Sequence, residues 1–246
     1  MSGPSFASRD PTAPAFWDER FAAGFTPWDA AGCPPAFTRW LATLGAGAAR
    51  RVLVPGCGAA YEVAALDAAG FAVTAIDYAP QAVAAARAVL GEPLSARTLH
   101  QADFFADGAW SAAPFDLIYE RAFMAALPPS QWPRWAARCA ALLRPGGALS
   151  GLFVIDAAAV QGTSEAHAQR TLPSPARRGP PFCTTAAELD ALLGAQFARG
   201  PLQPVPAAES LPVFAGREQW IDWRRFAGGN RAVIGRADEG AAAPLR

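Results

Sequence analysis

The most constraining feature of the sequence is a short apolar run that ends in a glycine turn. V-L-V-P-G-C-G spans residues 52–58, and the next apolar run, residues 71–76, closes on Asp77. Glycines after a buried strand let the backbone approach a ligand with no Cβ in the way. An acid about 20 residues later stands where a strand–helix–strand unit binds the hydroxyls of a ribose. The pattern therefore predicts the nucleoside-binding half of an open parallel sheet.

Predicted helices and strands alternate along the chain on both sides of Asp77. Helices are predicted over residues 59–69, 79–90, 130–143 and 185–193, and strands over residues 94–100, 115–119 and 148–155. The alternation predicts right-handed strand–helix–strand units and a mainly parallel sheet of the α/β class. A wholly apolar strand such as residues 115–119 is typical of a sheet covered by helices on both faces. Residues 219–226 stay open between helix and strand.

The residues after the glycine turn discriminate between nucleoside cofactors. A dinucleotide fingerprint needs a third glycine where the helix packs on the strand, and Tyr61 holds that position here. A cofactor without a pyrophosphate fits better, which predicts S-adenosylmethionine. Asp103 and Phe104 follow the third predicted strand, where an acid and an aromatic ring can bond and stack on an adenine. The plainer alternative is a strand–turn–helix unit whose glycines serve the turn alone.

Charge and cysteine content exclude several classes of function. The 21 basic residues, all of them arginine, balance 21 acidic residues, so no overall charge favours nucleic acid or an anionic membrane as a partner. The absence of lysine excludes Schiff-base chemistry.

The four cysteines form no C-x-x-C pair and the chain has two histidines, so no metal site is predicted. No secretory or membrane-spanning run is found, and we expect a cytoplasmic monomer that acts on a small molecule.

The start of the chain differs in composition from the rest. Residues 1–15 are rich in Ser, Pro and Ala and are predicted to be flexible. Trp17 and Phe21 then lie four residues apart, so they would share one face of a short helix that Gly24 ends. Residues 26–29, T-P-W-D, are predicted to form a turn or an extended segment.

A second irregular segment interrupts the alternation further along. Residues 157–181 contain several prolines, glycines and arginines and are predicted to form a long loop, a kind of segment that is usually functional or disordered. We expect residues 16–246 to form a single domain in which this loop lies on the substrate side.

Four stretches of the chain carry a resemblance to a known family. They are W-D-E-R-F with G-F-T-P-W-D (residues 17–29), V-L-V-P-G-C-G (residues 52–58), D-L-I-Y-E-R-A-F with A-L-P-P (residues 116–129) and L-R-P-G-G (residues 143–147). Through them the chain resembles the class I S-adenosylmethionine-dependent methyltransferases, and more narrowly the thiopurine and thiol/halide methyltransferases. The likeness runs from about residue 16 to residue 226.

The resemblance implies a fold and a set of site residues. The implied fold is a Rossmann-like methyltransferase sheet, mostly parallel and seven-stranded, with helices on both faces and residues 16–48 as an N-terminal helical lid. The residues that the resemblance places around the cofactor are Trp17, Phe21, Trp28, Gly56, Gly58, Asp77, Tyr78, Asp103, Phe104 and Arg121. Asp77 would bind the ribose, and Arg121 would also be the catalytic residue. Trp28, Phe123 and Phe182 would form the substrate pocket.

The predicted reaction is methyl transfer from S-adenosylmethionine to a soft nucleophile by in-line displacement. A thiol, an aromatic thiol such as a thiopurine, or a halide needs no general base at the moment of attack, which agrees with the lack of an evident His or Lys base. Arg121 resembles the thiopurine branch, whereas residues 26–29 and 179–182 resemble the thiol/halide branch. Two alternatives stay open: a nicotinamide-dependent oxidoreductase, and a non-catalytic protein that binds an adenosyl cofactor.

Overall fold

The described part of the chain is built around one mixed sheet. A computed structural model describes residues 4–47, 50–156 and 179–228. The strands are β1 Arg51–Pro55, β2 Ala72–Asp77, β3 Leu99–Gln101, β4 Phe115–Arg121, β5 Leu143–Val154, β6 Phe197–Arg199, β7 Gln203–Pro204 and β8 Glu218–Arg225. Their order across the sheet is β3-β2-β1-β4-β5-β8-β6, and the two-residue β7 also pairs with β8. Strands β1 to β5 run parallel, whereas β8 is antiparallel to β5, β6 and β7.

Helices cover both faces of the sheet, as the alternation predicts. The helices are α1 Pro14–Ala22, α2 Pro35–Thr43, α3 Tyr61–Ala68, α4 Pro80–Leu90, α5 Glu92–Thr98, α6 Phe123–Ala126, α7 Trp132–Leu142 and α8 Ala186–Leu193. Successive residues of β1 point to opposite faces. Leu53 packs in an apolar core with α7 and α8, while Val52 and Val54 pack in a second core with α2, α3 and α4. The predicted α/β fold is therefore confirmed.

The strand order places a cleft at one edge of the sheet. The chain crosses from β1 to β2 on one side and later enters β4 on the other side, so the order of strands reverses at β1. Loops that leave the carboxyl ends of β1 and β4 diverge at such a point, and open α/β sheets bind their ligands there. The glycine turn and residues 121–127 both lie at this edge.

Two local predictions are wrong. Residues 94–100 were expected to be a strand, but α5 occupies Glu92–Thr98 and leaves only three residues for β3. Gly91 ends α4 at φ +72°, and Pro93 in the following turn favours the start of a new helix. Ser130 was expected to cap the helix after β4, but it lies inside a 3₁₀ turn, and α7 begins at Trp132.

The region that the sequence left open is an inner strand. Residues 218–225 form β8, which pairs with β5 over seven residues. Trp220, Ile221 and Trp223 are buried in it. The charged residues of its C-terminal half obscure the strand pattern in the sequence. In the structure, Arg224 and Arg225 donate to the backbone carbonyls of Gly146 and Leu143, in the first residues of β5.

The lid helix α1 is docked on the sheet domain. Trp17 and Phe21 share one face of it, and the helix ends before Gly24, whose φ is +62°, as predicted. The Asp18 carboxylate accepts the amide N–H of Gln81, in the first turn of α4, at 2.8 Å. Ahead of α1, the Ser8 amide donates to the carboxylate of Glu19.

The remaining organisational predictions concern flexibility, the domain limits and the long loop. Residues 157–178 of that loop lie outside the described residues, and its final residues 179–181 reach the cleft. The flexible N-terminus, the single domain over residues 16–246 and the monomeric state stay predictions. Within the described ranges, no helix combines the length and apolar character needed to cross a membrane.

Candidate active site

The cleft at the carboxyl ends of β1, β2 and β4 is a cavity of about 590 Å³. The lid helix α1 and residues 25–28 close it on one side, and α6, the start of α7 and residues 179–181 on the others. All predicted site residues except Phe182 line it: Trp17, Phe21, Trp28, Gly56, Gly58, Asp77, Tyr78, Asp103, Phe104, Arg121 and Phe123. Residues spread over a hundred positions of sequence thus meet at one site.

The glycine turn after β1 forms the floor of the cavity. Gly56 and Gly58 have φ values of +57° and +51°, a region that favours glycine. A Cβ on Gly56 would collide with the ring of Phe123, so the aromatic wall packs directly on the bare backbone. The Gly58 amide donates to Asp77 Oδ2 at 3.1 Å, which ties the turn to the end of β2.

Asp77 is a buried carboxylate at the end of β2. Besides the bond from Gly58, its Oδ1 accepts the Ala79 amide N–H at 3.0 Å. Burial raises the pKa of Asp77 to about 6, against the opposing effect of these backbone donors. A carboxylate has about four lone-pair sites, so after two backbone bonds Asp77 can still accept hydrogen bonds from a ligand in the cavity.

Aromatic side chains of the lid pack edge-to-face above the turn. The ring of Trp28 lies 5.5 Å from that of Trp17 and 6.0 Å from that of Phe21. The Pro11 carbonyl accepts both Trp17 Nε1–H at 2.9 Å and the Tyr78 hydroxyl at 3.1 Å. Residues before α1, the helix itself and the residue after β2 are therefore joined over one side of the cavity.

The residues after β3 form another wall. Asp103 Oδ1 accepts the Phe105 amide N–H at 2.9 Å. Phe104 is buried and packs edge-to-face on Phe105 and Phe123. Arg134, from α7, lies over the ring of Phe105 at 4.4 Å. The wall is thus aromatic with one carboxylate at its end.

Arg121 ends β4 and lines the cavity beside the lid. Its Nη2 donates to the Trp28 carbonyl at 3.4 Å, and its Nη1 lies 3.7 Å from Oε1 of Glu62 on α3. The Tyr119 hydroxyl donates to the same Glu62 oxygen at 3.3 Å. Burial raises the pKa of Glu62, while the charge of Arg121, the residue's own backbone amide and the Tyr119 hydroxyl oppose the rise. Arg121 therefore connects β4, α3 and the lid.

Phe182 does not line this cleft, although the sequence analysis places it in the substrate pocket. Its ring lies in the core with Ile155 and Leu189, and its amide donates to the Ala125 carbonyl. Gly179 packs directly against that ring, where a Cβ would collide with it. The turn over residues 179–181 therefore directs the ring into the core and leaves Pro180 and Pro181 on the cavity wall.

Several lining residues were missed by the sequence analysis. The residues that line the cavity without having been predicted include Arg9, Pro11, Phe16, Arg20, Phe25, Gln131, Arg134, Val213 and Phe214. For Gln131 and Arg134 a signal existed, because the start of a helix that follows a parallel strand lies at the ligand-binding edge. Phe214 comes from a 3₁₀ turn before β8, and no local pattern places it at the site.

A known protein family matches most of the chain. The family model described as thiopurine S-methyltransferase (TPMT) matches residues 12–225, which takes in the lid helix, the glycine turn and the whole sheet. The match therefore covers every described element that lines the cavity.

Similar curated proteins come from plants and bacteria. The chain is 36% identical over 144 residues to a probable thiol methyltransferase 2 of Arabidopsis thaliana, an alignment that covers 57% of this chain and 62% of that protein. It is 31% identical to thiocyanate methyltransferase 1 of Brassica oleracea, over 56% of this chain and 60% of that protein. It thus matches about three fifths of the length of these plant relatives. Identity to a thiopurine S-methyltransferase of Pseudomonas fluorescens is 30%, over 75% of this chain and 83% of that protein.

Solved structures share the fold. The 1,6-didemethyltoxoflavin-N1-methyltransferase of Burkholderia thailandensis, which contains S-adenosylhomocysteine, superposes with a TM-score of 0.59 at 21% identity, over 92% of this chain and 93% of that one. The magnesium protoporphyrin IX methyltransferase of Synechocystis with bound SAH gives a TM-score of 0.60 at 15% identity, over 88% of this chain and 100% of that one. The sheet is therefore of the Rossmann-like methyltransferase type.

Proposed function

The chain belongs to the thiopurine S-methyltransferase family, and on that premise we propose that it transfers a methyl group from S-adenosylmethionine to a sulfur nucleophile of a small molecule. The observation that carries the proposal is the single cavity wall that joins the glycine turn, Asp77 and Arg121. A carboxylate that can bind a ribose, Asp77, and a cation that can bind an anionic nucleophile, Arg121, thus line the same cavity.

The residues present fit the cofactor of this family. S-adenosylmethionine is the cofactor predicted from the glycine turn, and family membership confirms it. Gly56 and Gly58 both line the cavity through their backbone, with the ring of Phe123 packed on Gly56, and the buried carboxylate of Asp77 keeps acceptor capacity for ribose hydroxyls. When bound, the cofactor supplies a methyl group on a positively charged sulfur, which takes back the electron pair of the carbon–sulfur bond.

The proposed contacts to the cofactor follow from these positions. The backbone of Gly56 and Gly58 would contact the methionine part and Asp77 the ribose, while Tyr78, Asp103 and Phe104 would surround the adenine. The contact from Phe104 is proposed as an edge contact, because the residue is only 4% exposed. Trp17 and Phe21, packed on Trp28, would cover the cofactor and exclude water.

Arg121 is proposed to hold the acceptor. A guanidinium has five N–H donors. In Arg121, Nη2 donates to the Trp28 carbonyl and Nη1 lies near the Glu62 carboxylate. The remaining donors allow Arg121 to bind a thiolate and to favour it over the thiol. Trp28 and Phe123 would orient the acceptor and shield it from water. No lysine exists in the chain, and His100 lies in β3 outside the cavity lining.

The acceptor is proposed to be a thiol attached to an apolar or aromatic group. Aromatic residues are numerous in the lining of the cavity that Arg121 also lines, and include Phe25, Trp28, Phe123 and Phe214. The relatives are named for thiol, thiocyanate and thiopurine methylation, which share a soft sulfur acceptor. A halide stays the second candidate, because it is also a soft anion that attacks without a base.

The test is a competitive panel of acceptors with radiolabelled S-adenosylmethionine. Iodide, hydrosulfide, small thiols, aromatic thiols and thiopurines are offered together, and label is expected in the methyl thioethers, most of all in those of the aromatic thiols. Label found only in methyl iodide would show that the acceptor is a halide and not a thiol. Binding of S-adenosylhomocysteine with no transfer to any member would support a non-catalytic binding protein instead. A fluorescence titration with NADH is expected to show no binding.

A further inference from the structure

Glu62 is a buried acid that pairs with Arg121 without lining the cavity. It stands in the first turn of α3, and its side chain is 11% exposed, against 19% for that of Arg121. Its Oε1 lies 3.7 Å from Arg121 Nη1 and accepts the hydroxyl of Tyr119, which is itself fully buried. A negative charge held this close to Arg121 offsets part of the positive charge that Arg121 presents to a ligand.

The charge of Arg121 has two opposite consequences for an anionic acceptor. It favours binding of the anion, but methyl transfer consumes that charge, because an electron pair of the acceptor becomes the new sulfur–carbon bond. A full positive charge would thus stabilise the bound acceptor more than the transition state, and an interaction of that kind lowers both KM and kcat. An arginine whose charge is partly offset by a nearby carboxylate binds the anion without stabilising it so strongly before the reaction.

We propose that Glu62 is a positioning and specificity-determining residue, which fixes the guanidinium of Arg121 and offsets its charge so that an anionic acceptor is oriented without being over-stabilised. The inference rests on the proposed function, since it assumes that the acceptor binds beside Arg121. Tyr119 holds the Glu62 carboxylate in place from β4, and the Trp28 carbonyl fixes the other terminal nitrogen of Arg121.

The test compares a charged ligand with its uncharged methylated product. The thiolate of 4-nitrothiophenol and its methyl thioether, 4-nitrothioanisole, are titrated by calorimetry into the full chain saturated with S-adenosylhomocysteine. Glu62→Gln, which keeps the shape but removes the charge, is expected to bind the thiolate on the order of tenfold tighter and the thioether within about twofold of the unchanged protein. In turnover with the thiolate, both KM and kcat are expected to fall.

The control removes an arginine-paired carboxylate elsewhere. Glu209→Gln breaks the exposed ion pair of Glu209 with Arg39, in which Glu209 Oε2 lies 2.8 Å from Arg39 Nη2. It gives the protein the same net charge as Glu62→Gln. It is expected to leave the ratio of thiolate to thioether affinity unchanged. Glu62→Leu is a second charge-free variant if Glu62→Gln does not fold.

Several outcomes would overturn the proposal. They are a thiolate affinity in Glu62→Gln that is unchanged or weaker, an equal change for both ligands, and the same ratio shift in Glu209→Gln. Failure of the proposed function is distinguishable from all three. If the protein without substitutions binds both ligands but transfers no methyl group, the proposed methyltransferase activity is refuted. The ratio of thiolate to thioether affinity would still report on the charge of Glu62.

Discussion

Three neighbouring strand ends supply the residues on which the site depends. Asp77 ends β2, the glycine turn follows β1, and Arg121 ends β4, with β1 paired between the other two strands. Parallel strands end at the same edge of a sheet, so these residues meet there although they are far apart in the sequence. The proposed roles of Asp77 and Arg121 can be tested separately.

Replacing Arg121 should separate chemistry from cofactor binding. Arg121→Ala is expected to lower turnover by about two to three orders of magnitude, because the acceptor loses its orienting donors, while the affinity for S-adenosylhomocysteine stays near normal. Single-turnover kinetics and calorimetry measure the two effects. Arg121→Lys is expected to recover only part of the activity, since an ammonium lacks the planar fork of donors. Lost cofactor binding with intact single-turnover chemistry would contradict the role.

Asp77 should make cofactor binding depend on pH. Its pKa is about 6 in the ligand-free protein, and ribose hydroxyls donate to the ionised form. Protonation on the acid side of that value removes the acceptor, so the affinity for S-adenosylhomocysteine is expected to fall by up to about tenfold per pH unit below about pH 6. Calorimetry between about pH 5 and about pH 8 measures this. Asp77→Asn is expected to bind weakly at every pH with no such slope, and a slope that persisted would assign the titration to another group.

At the scale of elements, polar contacts from two residues join the lid helix and the segment before it to the sheet domain. Asp18 bonds the first turn of α4, and the Pro11 carbonyl joins Trp17 to Tyr78. An acid at a helix N-terminus satisfies a free amide and interacts favourably with the helix dipole. The position of α1 over the cavity therefore depends on α4 as well as on its own aromatic face.

Removing the Asp18 contact should loosen the lid. Asp18→Ala is expected to cost about 0.5–2 kcal/mol of stability, to speed hydrogen exchange in residues 14–22 and to raise the dissociation rate of S-adenosylhomocysteine. Hydrogen-exchange mass spectrometry and stopped-flow displacement measure these changes. Asp67→Ala, which breaks an exposed ion pair with Arg97, is the matched control and should leave the dissociation rate unchanged. Equal exchange in α1 of both variants would show that Asp18 does not hold the lid.

At the scale of the whole molecule, two apolar cores enclose the sheet, and one of them contains an acid. Glu120, next to Arg121 in β4, is 1% exposed and accepts the Met124 amide N–H at 2.9 Å, and its second oxygen has no partner among the described residues. Burial raises the pKa of Glu120 to about 8. The carboxyl supports α6, and hence the wall that Phe123 forms, at a cost to global stability.

The cost should appear in the pH dependence of unfolding. The folded state retains the Glu120 proton up to about pH 8, whereas the unfolded chain loses it near its ordinary pKa of 4.5, so this group lowers the free energy of unfolding as pH rises through that window. Glu120→Gln should remove the decline, and the difference between variant and unchanged protein should grow by a few kcal/mol from about pH 4.5 to about pH 8. Urea unfolding at several pH values measures it. A difference that is constant with pH would contradict a raised pKa.

The sequence was a good guide where the determining signal is local. The order of strands and helices around β1, β2, β4 and α7 follows from apolar runs, glycines and prolines that are close together in the chain. It was a poor guide at residues 94–100, where the chain turns at Gly91 into a further helix, and at β8, whose arginines mask an inner strand. At β8, pairing with β5 and burial outweigh the local pattern. At residues 94–100 the local signals of Gly91 and Pro93 favour the helix, and the strand prediction missed them.

By itself, the sequence determined the α/β class, the nucleoside-type turn at residues 52–58 and the acid at position 77, because backbone propensity and residue spacing act over short stretches of chain. Only the tertiary structure decided that the ring of Phe182 turns into the core, that Phe214 and Arg134 reach the cavity, and that Glu62 lies against Arg121. Those relations join residues that are far apart in the chain, such as Trp17 and Phe214 in the cavity lining, and they depend on which faces of the sheet and helices pack together.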